Sequence, residues 1–425
     1  MKAVILAAGK GKRLQPLTAY KPKHLLPVAG KPMLDHILSA AAASGVKDAL
    51  IVVKHMKEQI IEKYSSHKLD LNINFAEQEE FLGTANAISI SEDFIGKDDF
   101  IVINGDVLTN PSEIKALINT HQKNKPFSTL GVKEVPYPNQ YGVVEVADGK
   151  VKKIIEKPSP SETKSNLISV GIMCFKKDVF DIIRQTPLSP RGEYEVTKSI
   201  QIAVSKKETV LPYEIKSWWV DVGRPWDLLE ANQYLISEVS EVNSGVIEEN
   251  AHLKGQVIVR KGAVIRSGAY IEGPVIVDED SDIGPNCYIR AATYIGKRVR
   301  IGNACEIKNS IILDGTHIGH LSYVGDSIIG SNVNFGAGTK IANLRFDSNP
   351  IKMNINGVKI DSGRRKLGAV IGDNVKTGIG VNIAPGVKIG QDSAIAPNVT
   401  VWGDIPPGKL LNVKLEYDLT EWKPH

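Results

Sequence analysis

From residue 247 onward the chain repeats itself every six residues. Ile247, Leu253, Val259, Ile265, Ile271, Val277, Ile283, Ile289, Ile295, Ile301 and Ile307 stand in one phase. The phase slips by one at Ile312, continues through Ile318 and Val324, and slips again at Ile329, followed by Phe335 and Ile341. A second run takes in Ile371, Thr377, Ile383, Ile389, Ile395 and Val401, and Gly often follows the aliphatic residue. This is the hexapeptide signature of a parallel β-helix, a solenoid in which three short strands make one coil. Cys287 and Cys305 fall four places after the aliphatic residue, where the repeat takes a small inward side chain. They read as core filler rather than as redox or metal groups. Residues 342–369 lose the period and read as a loop ejected from the solenoid. Such a loop is either functional or a tolerated insertion.

The repeat resembles the left-handed hexapeptide β-helix family, whose members usually trimerise. The resemblance implies a homotrimer.

The first 235 residues have another pattern. "KAVILAA", "ALIVV", "FIVING" and "LISVGIMCF" are apolar runs suited to buried strands, separated by helical stretches such as "MLDHILSAAAASG". The alternation predicts an α/β domain: a mostly parallel, Rossmann-like sheet with helices on both faces. The expected organisation is therefore a domain at 1–235, a linker at 236–245 and a β-helix at 246–425.

Composition narrows the functions. Fifty-two Lys and Arg against 48 Asp and Glu leave a formal charge of +4, without the one-signed excess of a nucleic-acid or membrane-surface binder. Three scattered cysteines argue against a disulfide framework or zinc cluster and for a reducing cytoplasm. The apolar run Ala3 to Ala8 is too short for a signal peptide, and no segment approaches the ~20 apolar residues of a membrane span. Small-molecule substrates are the expected partners.

"LAAGKGKRLQPLT" (6–18) lacks the Gly-Lys-Ser/Thr of a P-loop and the third glycine of the dinucleotide fingerprint. Gly9 and Gly11 still let backbone amides approach phosphate oxygens, and Arg13 can fork onto them. With "KPKHLLPVAGKPM" (21–33) behind it, this half resembles the sugar-1-phosphate nucleotidylyltransferases. The resemblance extends through "EQEEFLGTANA" (77–87), "FIVINGDVL" (100–108), "YGVVE" (141–145), "IIEKP" (154–158) and "WWVDVGRPWDL" (218–228). It implies Lys23 and Arg13 as cations on the phosphates, and Gln78, Gly83 and Thr84 near a pyrimidine edge. It further implies Gly142 and Glu156 at the sugar, Lys157 on a phosphate, and Asp106 with Asp221 on Mg²⁺. Taken singly, Asp106 is equally a turn former or helix cap, Glu156 and Lys157 equally a solvated pair, and Trp218 and Trp219 read as packing before base stacking. Asp221 stands where the bacterial uridylyltransferases often have Asn, and "NLISVG" (166–171) replaces their "INTG". Glucose-1-phosphate therefore joins N-acetylglucosamine-1-phosphate as an expected acceptor, and dTTP joins UTP as a donor.

Within the solenoid, "THIGHLSYVGDS" (316–327) interrupts an aliphatic repeat with imidazoles and a phenol. It resembles the acetyltransferase half of bifunctional N-acetylglucosamine-1-phosphate uridylyltransferases, archaeal type. The resemblance implies that His320 is the general base, since an imidazole titrates near neutrality, and that Tyr323 contacts the sugar phosphate. Arg290 and Lys308 lie 18 residues apart, one full coil. They should stack about 4.8 Å apart, with no acidic partner in sequence, and so suit a phosphate. Asn334, Asn343 and Lys352 complete the implied acceptor site, and His317 has no assigned role. "SGRRK" (362–366) stays open between a site for CoA phosphates and a solvated loop. The acyl donor would be acetyl-CoA, and the acceptor glucosamine-1-phosphate, with galactosamine-1-phosphate as a second one. Because His320 lies twelve residues beyond Lys308, two faces of the prism, the site should sit at a subunit interface. The rival readings are a UDP- or dTDP-sugar pyrophosphorylase with a scaffold β-helix, and a non-catalytic assembly subunit.

Overall fold

The computed structural model describes residues 1–66, 69–414, 416 and 418–422. The chain forms two compact units: residues 1–14 with 20–231, and residues 15–19 with 232–425. The division falls inside the helix Pro225–Ile236, and residues 237–245 carry neither helix nor strand.

In the first unit the apolar runs form a nine-stranded sheet. Lys2–Ala7 lies between Phe100–Asn104 and Asp48–Val53, and Asn72–Glu77 extends that side, all parallel. The sheet is more mixed than its sequence suggested. Leu167–Phe175 runs antiparallel to Phe100–Asn104, and the hairpin Gly142–Ala147/Lys150–Glu156 continues beyond it. A strand buried on both faces reads as a continuous apolar run whichever way it points. Phe100, Ile101, Val102 and Ile103 are fully buried. The helix Pro111–Asn124 starts behind an Asn110 cap, whose side chain accepts from the Ser112 amide at 3.0 Å, with Pro at the first helical position.

In the second unit three sheets of nine, eight and seven strands run the length of the solenoid, every pair within them parallel. The hexad aliphatics point inward: Ile265, Ile271, Ile289, Ile307 and Val324 are fully buried. The register explains the phase slips. Arg300 pairs with His317 and Ile311 with Ile328, so two coils hold 17 residues rather than 18. The next coil ejects the loop after Ile341, which forms the hairpin Lys352–Ile355/Val358–Asp361 before Val370 rejoins Ile328. Corners are turned by Asn and Asp in left-handed backbone, such as Asn332, Asn374 and Asp392. The Asn374 amide donates to Asp392 at 2.8 Å. Among the described residues, no helix is long and apolar enough to cross a membrane.

Candidate functional site

In the first unit Lys2–Ala7, Asn72–Glu77 and Phe100–Asn104 end at one edge, so the loops holding Gly9, Gln78 and Asp106 converge there. A cavity of about 240 Å³ is walled by Gly9, Lys23, Gln78, Gly83, Thr84 and Asp106. A second, of about 270 Å³, is walled by Arg13, Gly142, Glu156, Lys157 and Asp221. The two share Thr84, Asn104 and Glu193. Gly11 lines neither; its φ of 63° turns the loop between them. A side chain at Gly9 would come within 3.4 Å of Lys23 Cε, and one at Gly223 within 2.8 Å of Arg13 Nη2. Both cations are thus laid against bare backbone.

Lys23 pairs with Asp106, their side chains only 12% and 17% exposed. Burial alone would raise the Asp106 pKa, but Lys23 outweighs it and holds the carboxyl below its ordinary range. Asp221 goes the other way. Burial, then the charge of Asp106, push it up to about 7. The two meet because Val222 N–H donates to the Asp106 carbonyl at 2.9 Å and Asp221 faces Val107 across a two-stranded ladder. Two enclosed carboxylates that resist joint ionisation fit a hard divalent cation. Mg²⁺ is commonly held by one or two carboxylates plus substrate phosphates. The described residues hold no group of three or more His, Cys, Asp or Glu that could hold a metal ion.

Several residues at this site were not singled out from the sequence. His24 is fully buried, and burial and Lys23 push it down to about 3, so it stands neutral beside Asp106. Glu156 is held from both sides: Thr197 Oγ1 donates to Oε2 at 3.1 Å, and Arg191 Nη2 to Oε1 at 3.3 Å. Thr84 Oγ1 accepts from the Val196 amide at 3.0 Å, which ties the two cavities together. Arg191 and Thr197 lie far from the quoted motifs, and nothing local in the sequence marks them. Trp219 packs: its Nε1 donates to the Val170 carbonyl at 3.1 Å, and its ring meets Tyr141 edge-on.

In the second unit Arg290 and Lys308 occupy equivalent positions of adjacent coils, the Arg290 amide donating to the Ile307 carbonyl. The expectation that they lack acidic partners is corrected. Arg290 Nη1 donates to Glu306 at 2.9 Å and Lys308 Nζ to Asp326 at 3.3 Å. Glu306 is sixteen residues from Arg290 and Asp326 eighteen from Lys308, so coil stacking supplies partners that a local reading misses. Tyr323 pairs in register with Glu306 on the same sheet, and Asn343 Nδ2 donates to its hydroxyl at 3.1 Å. His320 and Asn334 belong to another face, and both are exposed. Asn334 pairs with His317, not with His320. Lys352 is exposed on the hairpin and does not line the cavity of about 550 Å³ beside Lys308. Arg364, Arg365 and Lys366 do.

A nucleotidyl transferase family model matches residues 2–238, more than half of the chain, and a bacterial transferase hexapeptide model matches residues 368–401. A model named GMPPB C-terminal domain matches 271–383. The bifunctional protein GlmU of Methanococcus maripaludis is 46% identical over 380 residues, 89% of each chain. A bifunctional sugar-1-phosphate nucleotidylyltransferase/acetyltransferase of Sulfurisphaera tokodaii is 40% identical over 382 residues, 89% of this chain and 92% of that one. The chain belongs to the bifunctional sugar-1-phosphate nucleotidylyltransferase/acetyltransferase family. Somewhat more than half of the chain is also similar to solved structures. A UDP-glucose pyrophosphorylase complexed with UDP-glucose is 25% identical, with TM-score 0.51, and covers 56% of this chain and 99% of its own. A putative glucose-1-phosphate thymidylyltransferase from Bacillus anthracis is 30% identical, with TM-score 0.51, and covers 57% and 98%. The matching β-helix is of the left-handed hexapeptide class.

The Asp221 environment has a measurable consequence. Its carboxyl titrates near 3.8 when unfolded and near 7 in the native site. The folded state therefore holds a proton that the unfolded chain has already lost, and stability of the metal-free protein falls as pH rises through this window. Asp221→Asn removes that penalty. Without Mg²⁺ the variant is expected to melt several degrees above wild type at pH 8 and level with it below pH 4. Equal melting temperatures at pH 8 would contradict the assigned environment.

Proposed function

We propose that this chain is a bifunctional enzyme: the β-helix N-acetylates an amino-sugar-1-phosphate, and the first unit joins a nucleotidyl group to the product. What carries the first half is a pair of adjoining cavities that share Thr84, Asn104 and Glu193, one holding Lys23 and Asp106 and the other Arg13 and Asp221. A UTP or dTTP triphosphate lies along the Gly9 loop, its base toward Gln78, Gly83 and Thr84. An N-acetylglucosamine-1-phosphate or glucose-1-phosphate lies by Gly142 and Glu156, its phosphate on Lys157. The sugar phosphate oxygen attacks the α-phosphorus in line and pyrophosphate leaves, so the protein's part is to hold two anions together. Lys23 and Arg13 offset the charge that develops. Mg²⁺ held by Asp106 and Asp221 would add charge neutralisation at the phosphates.

In the β-helix, Lys308, with Arg364, Arg365 and Lys366 around its cavity, takes the phosphate of glucosamine-1-phosphate, galactosamine-1-phosphate being a second acceptor. Arg290, Tyr323 and Asn343 lie on the same face. His320 accepts the amine proton as nitrogen attacks the thioester carbonyl of acetyl-CoA. A backbone N–H steadies the oxyanion and the thiolate departs. His320 and Asn334 stand on a different face from Lys308, so a site using all of them draws on neighbouring copies, in a homotrimer. Three free, buried cysteines suit a reducing cytoplasm.

Two assays test the reading. Wild type is expected to release pyrophosphate from UTP with N-acetylglucosamine-1-phosphate only when Mg²⁺ is present, and to release thiol from acetyl-CoA with glucosamine-1-phosphate. Thiol release absent while pyrophosphate release is intact would make the solenoid a scaffold; both absent would leave an assembly subunit.

A further inference from the structure

Asp326 is almost wholly buried, 3% exposed, at a corner of the β-helix in left-handed backbone. It accepts from three side chains: Lys308 Nζ at 3.3 Å, Asn309 Nδ2 at 2.7 Å, and Asn343 Nδ2. An ionised carboxylate can only accept. It therefore dictates that Asn343 turns its NH₂ inward and its amide oxygen outward. The same NH₂ donates to Tyr323 Oη, and since an amide nitrogen cannot accept, the phenolic proton must go elsewhere. Lys308 gives one N–H to Asp326 and keeps others for the cavity it lines. A second observation bears on the same contact. Any side chain at Gly325 would place its Cβ 2.5 Å from Asn343 Nδ2 and 2.6 Å from Tyr323 Oη. The missing Cβ is what allows amide and phenol to meet.

We propose that Asp326 is a positioning residue that fixes the direction of the proton donors around Lys308, so that Lys308 and Tyr323 present N–H and O–H to one phosphate monoester. This rests on the acetyl-transfer reading of the β-helix and adds to it the device that makes the site an anion receptor. The neutral sugar without phosphate offers no anion to the donors turned outward, and so loses charge-assisted hydrogen bonds. In Asp326→Asn an amide replaces the carboxylate. It can turn an NH₂ toward Lys308 and Asn343, which frees Asn343 to flip and releases the lysine.

Steady-state acetyl transfer by the full-length protein tests this, with nucleotidyl transfer by the same preparation as an internal control. Asp326→Asn is expected to raise KM for glucosamine-1-phosphate about tenfold or more, with kcat at saturation within about threefold. The KM for acetyl-CoA and nucleotidyl transfer should not move. In a Lys308→Met background the same substitution should change KM less than about twofold, because the group it acts through is gone. Gly325→Ala, which leaves Asp326 in place, should raise the same KM. A fall in kcat, nucleotidyl transfer and melting temperature together, without a rise in KM, overturns the proposal and leaves Asp326 a structural residue. An undiminished effect in the Lys308→Met background also overturns it. Wild type that releases no thiol defeats the acetyl-transfer reading itself; wild type that does, beside an unchanged KM in both variants, defeats this inference alone.

Discussion

Replacing His320 by alanine is expected to lower thiol release from acetyl-CoA about 10²–10⁴-fold, the usual worth of a general base, while nucleotidyl transfer proceeds at the wild-type rate. The separation of effects follows from where the residue lies. His320 is exposed at the end of the strand His317–His320, in the β-helix unit, and contributes nothing to the buried aliphatic column. Its loss should leave coil packing and melting temperature unchanged. KM for the amino-sugar phosphate should change little, since the cations proposed to hold the phosphate stand on another face. A loss below about tenfold would remove His320 from the proton transfer. His317, three residues away and also exposed, provides the control. It pairs with Arg300 and Asn334 in register, and His317→Ala should retain activity.

The second large effect is expected at Asp106. Asp106→Ala should reduce Mg²⁺-dependent nucleotidyl transfer by about 10³-fold or more, taking several kcal/mol of metal-assisted charge stabilisation at about 1.4 kcal/mol per tenfold. Two losses coincide there. A carboxylate able to carry the cation disappears, and Lys23, only 12% exposed, loses the partner that holds it beside Gly9. Asp106→Asn should fall nearly as far, because an amide cannot neutralise Lys23 or bind Mg²⁺ at full charge. Acetyl transfer by the same preparations is expected to be unaffected. Initial rates of pyrophosphate release at graded Mg²⁺ check this. Activity within tenfold of wild type at saturating Mg²⁺ would place the cation elsewhere.

The sequence by itself determined the solenoid. A hexad of aliphatics is a one-dimensional rule, and each coil needs only the coils next to it, so period, phase slips and ejected loop are all legible in the sequence. Ile289 stacks on Ile307 and Ile307 on Val324, as the spacing requires. The loops around Gly9, Gln78 and Asp106 were legible for a related reason. Each follows a buried strand, and strand ends in an open α/β sheet gather at one edge. Tertiary structure alone decided who partners whom. Lys308 meets Asp326 eighteen residues away, Glu156 is gripped by Thr197 and Arg191 from a distant segment, and Arg364–Lys366 replace Lys352 at the cavity wall. Such pairings depend on register and on where an irregular loop returns, which local composition does not encode. The contrast between Asp106 and Asp221 was equally hidden. Both are carboxylates at the ends of apolar runs. Only folding gives one of them a lysine and leaves the other buried beside its neighbour's charge.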